Sequence, residues 1–404
     1  MIAAPARPLR ILLSIHHRLE RSSGAAGVVM RIAEEYRHLG HDATVASHED
    51  VPTIVPKLLR GLLFPFVLAA MIRRRQPDVV DASSGDGWFA YSRDAGRARL
   101  HVTHSHGLEH LSSERECAGG RFLPFHKRIW RHGLRLRLVA RSFALADLSL
   151  VLNDAEADHL SKALGIEPST IHRIRLGTDH AGILVDDGPR HPAAIVQIGA
   201  YTQRKGVTVV AAAMVPILEE TPGSSMMFVG TGVPRQIVLD DYPDHLHDRI
   251  IVVEHYSNDM LPGLLADRYI CLMPSLFEGY GIAKLEAMAC GLAVVVSDDA
   301  GAKADVIDGC NGLIVACGEA EALRQAVRTL VAQPQYVRRL RAAGFETSKI
   351  LSWDKIARDR ASLYATHFAL KEARNRQHIG YSCPMPLASG GRKEHKNLSS
   401  VPSL

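Results

Sequence analysis

Three things are scarce in this chain, and each scarcity removes a class of function. There are six cysteines in 404 residues (Cys117, Cys271, Cys290, Cys310, Cys317 and Cys383), none in a Cys-x-x-Cys pair. Several sit in apolar runs, which predicts buried free thiols in a reducing compartment and argues against a disulfide scaffold or a zinc ribbon. Aromatics make up only 6% of the residues and the net charge is only +5, so nucleic-acid binding is not expected. No apolar run is long enough to span a bilayer. The best candidate, Gly61 to Ile72, falls well short of the roughly 20 residues required and contains Pro65. It reads as a core helix with one face at a membrane interface. Met1 to Arg10 lacks an apolar leader core, so the expected location is cytoplasmic, at most at the inner face of the membrane.

What is present is an ordinary globular composition, 47% apolar and 23% charged. The length predicts two domains. Charge is unevenly shared: residues 1–180 hold 25 Lys+Arg against 19 Asp+Glu, and the remainder 23 against 24. The first part therefore carries the positive balance, which suits an anionic substrate or a membrane surface. A basic, aromatic-containing stretch, 121–141, reads either as an interfacial membrane segment or as a solvated basic face.

Apolar runs alternate with helical periods along the chain. Runs such as Leu9 to Ile15, Leu100 to Thr103, Ala193 to Ile198, Tyr269 to Met273 and Ala293 to Val296 read as buried parallel strands. The most informative corner is Ser275 to Gly291, between two of them. Gly279 and Gly281 permit a sharp turn and close approach to a ligand. The helix beginning near Ile282 offers amides and a positive dipole end to a phosphate. Glu278 and Glu286 bracket that anion site. Carboxylates there make sense if they accept hydrogen bonds from sugar hydroxyls on either side of a diphosphate.

This corner resembles the Glu-x7-Glu signature of retaining glycosyltransferases of family 4, which share the GT-B architecture. The residues that carry the likeness are Pro274, Ser275, Glu278, Gly279, Tyr280, Gly281, Leu285, Glu286, Ala287, Met288, Ala289 and Gly291. Lys284 stands where the family has a small or apolar residue. The resemblance implies that Glu278 contacts the donor sugar and Glu286 the nucleotide ribose. Other loops extend it over roughly Arg10 to Leu370. Ser22 to Gly27, with Gly24, is similar to the glycine loop near the donor phosphates, or is a helix start capped by serine. His104-Ser105-His106-Gly107 is similar to the family's Thr-x-His-Gly loop, which places His106 at the reacting sugar. Gly199 to Gly206 resembles the phosphate clamp. Lys205 and Gly206 match, Ala200 replaces the clamp arginine, and Arg204 is the candidate substitute. Gly230 belongs to a Gly-x-Gly turn near the nucleotide. Gly177-Thr178-Asp179 occupies the place of an Asn-Gly-x-Asp turn. Gly85 to Ala90 mimics a dinucleotide fingerprint but follows the wrong strand, and reads as a plain helix start.

The expected fold is thus α/β: two Rossmann-like domains with parallel sheets facing across a cleft. The first covers 1–180 and is joined by a returning helix at 353–371; the second covers 190–352; 375–404 reads as a disordered tail. The expected function is transfer of a hexose-type sugar, with retention, from a nucleotide-diphosphate sugar to a glycan or lipid-linked acceptor in cell-envelope polysaccharide synthesis. His106, Lys205 and Glu278 are the catalytic candidates. Gly24, Arg204, Lys205, Gly230, Glu278, Gly279, Tyr280, Gly281, Ile282, Ala283 and Glu286 are the donor-binding ones. No Asp-x-Asp occurs, so neither a metal nor a resident cofactor is expected. A nucleotide-sugar epimerase or hydrolase on the same fold, or a catalytically weak partner protein, remain open alternatives.

Overall fold

The computed structural model describes residues 7–20, 24–94, 98–118, 133–180 and 191–380. Two six-stranded, all-parallel sheets dominate it. The N-terminal sheet comprises β1 (Arg10–Ile15), β2 (Asp42–Ser47), β3 (Val79–Ser83), β4 (Leu100–His104), β5 (Leu148–Val151) and β6 (Ile171–Arg173), in the order β2-β1-β3-β4-β5-β6. The C-terminal sheet comprises β7 (Ala194–Ile198), β8 (Ser225–Val229), β9 (Ile250–Val253), β10 (Ile270–Met273), β11 (Ala293–Ser297) and β12 (Leu313–Val315), in the order β12-β11-β10-β7-β8-β9. The apolar runs form strands because helices cover both faces of each sheet; β3, β4, β7, β10 and β11 are buried along their whole length.

Sheet order decides where a ligand can bind. In the C-terminal sheet, the order in which the chain adds its parallel strands switches from one side to the other between β7 and β10. In the N-terminal sheet that switch lies between β1 and β3. Loops leaving neighbouring strands at such a point diverge and open a crevice at their carboxyl ends. The segments after β7 and β10 are the Gly199–Gly206 and Ser275–Gly281 loops singled out in the sequence.

The helix Trp353–Gly380 ties the halves together. Its Trp353, Ile356, Ala357, Ala361, Tyr364 and Phe368 are buried in a core shared with β1, β4, β5, β10 and β11. Arg360 reaches Asp81 of β3 at 2.7 Å, and the Tyr364 hydroxyl donates to the same carboxylate at 2.7 Å. All three side chains are almost fully buried. The helix runs past the expected end at 371, so residues 375–380 are helical rather than part of a tail. Lys371, Glu372, Ala373 and Arg374 are strong helix formers, and a patternless polar sequence does not by itself end a helix. Residues 381–404, residues 181–190 at the junction of the two expected domains and 121–132 of the basic stretch lie outside the described residues. In the described part of that stretch, helix Arg135–Ala144, Arg135 turns inward to His16 at 3.1 Å and Glu109 at 3.2 Å. The helix Trp88–Arg93 begins where the dinucleotide-like run was read as a plain helix start.

Candidate functional site

The loop after β10 enters the helix Ile282–Ala289 through Gly281, whose φ of 75° is the left-handed conformation open to glycine. Ahead of it, Glu278 is buried yet charged. Its backbone N–H donates to Asp299 Oδ2 at 3.0 Å, and Ser275 Oγ donates to Oε1 at 3.3 Å. Lys205 Nζ forms an ion pair with Oε1, and Arg204 Nη1 lies 3.4 Å from Oε2. Burial pushes the Glu278 carboxyl up, but Lys205 and Arg204 outweigh it and hold it below the ordinary glutamate range. Arg204 also donates to the Phe277 carbonyl at 3.0 Å. A cation therefore stands in this corner although Ala200 replaces the clamp arginine.

Lys284, unexplained by the sequence, is fully buried. Its ammonium donates to the Tyr280 carbonyl and, at 3.0 Å, to the Gly301 carbonyl, and it lies 4.4 Å from the Tyr280 ring centroid. It staples the loop after β10 to the loop after β11. Burial lowers its pKa to about 8, against the pull of Asp305 and Glu278.

Across the cleft, His106 accepts or donates a 2.9 Å hydrogen bond with Ser83 Oγ, and its ring meets that of His104 edge-on at 4.2 Å. Burial, then the neighbouring His104, holds its pKa well below 6.5, so His106 is neutral. His104 is fixed by Asp81 at 2.6 Å. Glu156 clamps the loops after β4 and β5 by accepting from Leu108 N at 2.9 Å and Leu152 N at 2.8 Å.

The domains meet at bare backbone. A Cβ on Gly279 would lie 2.8 Å from Gly107 Cα and 2.9 Å from the His106 carbonyl oxygen. Asn153 donates to the Gly279 carbonyl at 2.8 Å. Arg115 pairs with Asp299 and stacks on Phe277 at 4.6 Å, and Arg175 pairs with Asp305 at 2.9 Å, which accepts from the Tyr280 hydroxyl. Deeper in the cleft, Asp179 takes Arg31 at 2.7 Å from one domain and Asn258 at 2.7 Å from the other.

Two adjoining cavities result. The larger, about 460 Å³, is lined by His106, Arg204, Lys205 and the loop from Phe277 to Ala283 among others. The smaller, about 200 Å³, is lined by Arg31, Asp179, Tyr256, Asn258 and Glu286 among others. Gly24, Val28 and Ile282 belong to both. Burial, helped by Asp179, raises the Glu286 carboxyl to about 7. The structure thus brings His106, Lys205, Glu278, Arg204, Gly24 and residues 279–283 to one cavity and Glu286 to its neighbour. Gly230 lines neither. It backs the Tyr256 ring, which a Cβ would approach to 2.8 Å. Arg31, Asn153, Asp299 and Asp305 carried no sequence signal, since each is defined by a partner far away in the chain.

The family model described as Glycosyltransferase Family 4 matches residues 22–181, and that described as Glycosyl transferases group 1 matches residues 192–333. The chain belongs to glycosyltransferase family 4. It is 29% identical over 237 residues to a glycogen synthase of Mycobacterium tuberculosis, a match spanning 58% of this chain and little more than half, 56%, of that relative. It is 27% identical over 298 residues to an alpha-maltose-1-phosphate synthase of the same organism, covering 65% of this chain and 72% of that one. Its GT-B fold matches that of sucrose-phosphate synthase from Thermosynechococcus elongatus with a TM-score of 0.72 at 20% identity, over 89% of this chain and 99% of the other. The Anabaena protein Alr3699/HepE, solved in complex with UDP, matches with a TM-score of 0.63 at 18% identity over 89% and 100%. Among the described residues of this family member, no helix is long and apolar enough to cross a membrane.

Proposed function

We propose that the protein transfers a hexose-type sugar from a nucleotide-diphosphate sugar to an acceptor hydroxyl, with retention of anomeric configuration. One observation carries this reading. Lys205 and Glu278 meet at the start of the Ile282–Ala289 helix in the larger cavity, while Glu286 faces the adjoining one, so cation, amides and two carboxylates follow the order of a sugar, a diphosphate and a ribose. The UDP bound to the Anabaena protein of the same fold supports that class of donor.

On this reading Glu278 and Glu286 accept hydroxyls of the hexose and the ribose. Lys205, Arg204 and the Ile282 and Ala283 amides stabilise charge that grows on the leaving diphosphate as the anomeric carbon becomes oxocarbenium-like. Neutral His106 donates to a sugar hydroxyl or a phosphate oxygen. Glu278, engaged by two cations, is a poor nucleophile and a good hydroxyl acceptor. Charge neutralisation by these groups makes transfer metal-independent and free of a resident cofactor. The acceptor approaches from the N-terminal domain, whose positive balance suits a glycan or lipid-linked acceptor of cell-envelope polysaccharide synthesis at the inner membrane face.

The test is a panel of nucleotide sugars incubated with and without glycan and lipid-linked acceptors. NMR of the product should show the donor's anomeric configuration, formed without added divalent metal. Equal sugar release with and without every acceptor would point instead to a hydrolase.

A further inference from the structure

The helix Lys57–Arg75 presents two apolar faces; one enters the core, and the other stays partly exposed, with Phe66 lying against the Phe89 ring at 4.3 Å. Phe64, Leu68, Met71 and Ile72 enter the core beside β1, β2 and β3. Leu59, Leu62, Leu63 and Phe66, at the i, i+3, i+4, i+7 spacing of a single stripe, point outward and are exposed. Ile54, in the turn that precedes the helix, is 90% exposed. Apolar side chains clustered this closely on a surface are unfavourable in water and mark a contact with something apolar.

Charge surrounds the stripe. It continues into Arg73 and Arg74, both exposed, and the helix contains no acidic residue. Beside its C-terminal half, a cavity of about 300 Å³ opens against the helix Trp88–Arg93. Ala69, Ile72, Phe89 and Ala90 supply apolar wall, and Arg73 and Arg93 supply cations. Arg93 lies over the Phe89 ring at 5.0 Å. The acidic residue there, Asp94, is paired to Arg99 and to His101 at 3.0 Å, so it does not cancel those cations.

We infer that this face is a docking surface for an anionic phospholipid bilayer: the leucine–phenylalanine stripe enters the acyl boundary while Arg73, Arg74 and Arg93 sit among lipid phosphates. A second copy of the chain fits less well, because it would bring a like-charged arginine cluster to a stripe with no carboxylate to answer it. The inference is independent of the glycosyl-transfer reading, which concerns the cleft.

The experiment is sedimentation of the full chain with phosphatidylcholine vesicles, with and without phosphatidylglycerol. The bound fraction should rise with phosphatidylglycerol and fall with salt. The partition coefficient should drop about tenfold or more in Leu63→Glu/Phe66→Glu, which loses apolar burial, and likewise in Arg73→Glu/Arg74→Glu. Circular dichroism checks that each variant is folded, and Phe66→Ser replaces the first should it not be. Wild-type partitioning that ignores phosphatidylglycerol, or a folded stripe variant that binds like wild type, would overturn the proposal. So would a dimer in analytical ultracentrifugation that Phe66→Glu abolishes, together with an absence of vesicle binding.

Discussion

Glu286 and Lys284 lie two residues apart on one short helix and titrate in opposite senses. Glu286 is held protonated up to about 7, above its ordinary 4.5. Between those values the folded chain binds a proton that the unfolded chain has lost, so the stability it contributes declines as pH rises through that window. Glu286→Gln has no such decline. It should therefore be more stable than wild type at pH 8 by about 1 to 3 kcal/mol, with no difference at pH 4. Its affinity for a nucleoside diphosphate should fall about tenfold, because an amide offers one acceptor where the ionised carboxylate offers a fork. Thermal unfolding at the two pH values and calorimetric titration with UDP check both halves. Lys284 behaves conversely. Its pKa of about 8 lies below the ordinary 10.5, so the unfolded chain holds the extra proton between them and stability rises with pH there. Lys284→Met should lose that slope and, by leaving the Tyr280 and Gly301 carbonyls without their donor, cost about 2 kcal/mol near neutral pH. Urea unfolding on both sides of pH 8 measures it.

At the scale of the element, the returning helix is bound by charge as well as by packing. Asp81 is fully buried and stays ionised, since Arg360, His104 and the Tyr364 hydroxyl outweigh its burial. Arg360→Met would strand that carboxylate and should destabilise the protein by about 3 to 5 kcal/mol, read from denaturant unfolding. Residues 81 and 360 belong to opposite ends of the chain, and such a pair leaves no trace in a sequence. By contrast, the strands were legible because parallel strands buried on both faces are written as continuous apolar runs, and the donor-side loop because Gly279, Gly281, Glu278 and Glu286 stand at fixed offsets from strand and helix. Three-residue β12 was missed because Leu313–Val315 is too short to carry a period. The extension of the final helix beyond 371 was missed because polar helix formers look like tail. Lys284 was opaque for a related reason: its acceptors are backbone carbonyls, which have no letter.

For the molecule as a whole, the cleft is closed by contacts that side chains direct and glycine permits. Arg115–Asp299, Arg175–Asp305 and Arg31–Asp179–Asn258 each run between the domains, around the place where Gly107 and Gly279 touch. Gly279→Ala places a methyl group 2.8 Å from Gly107 Cα, so the domains have to part. Small-angle scattering should show a larger radius of gyration, and kcat/KM for transfer should fall about a hundredfold as His106 and Lys205 lose their common frame. Circular dichroism should be unchanged.

Gly24, Val28 and Ile282 line both chambers, and every other residue of each wall belongs to that chamber alone. If, as proposed, a nucleotide-sugar donor spans both, its carbohydrate end is judged by one set of side chains and its nucleoside end by another. Preference for the sugar and preference for the base can therefore drift separately, and a designer wishing to exchange one need rebuild only the chamber that holds it.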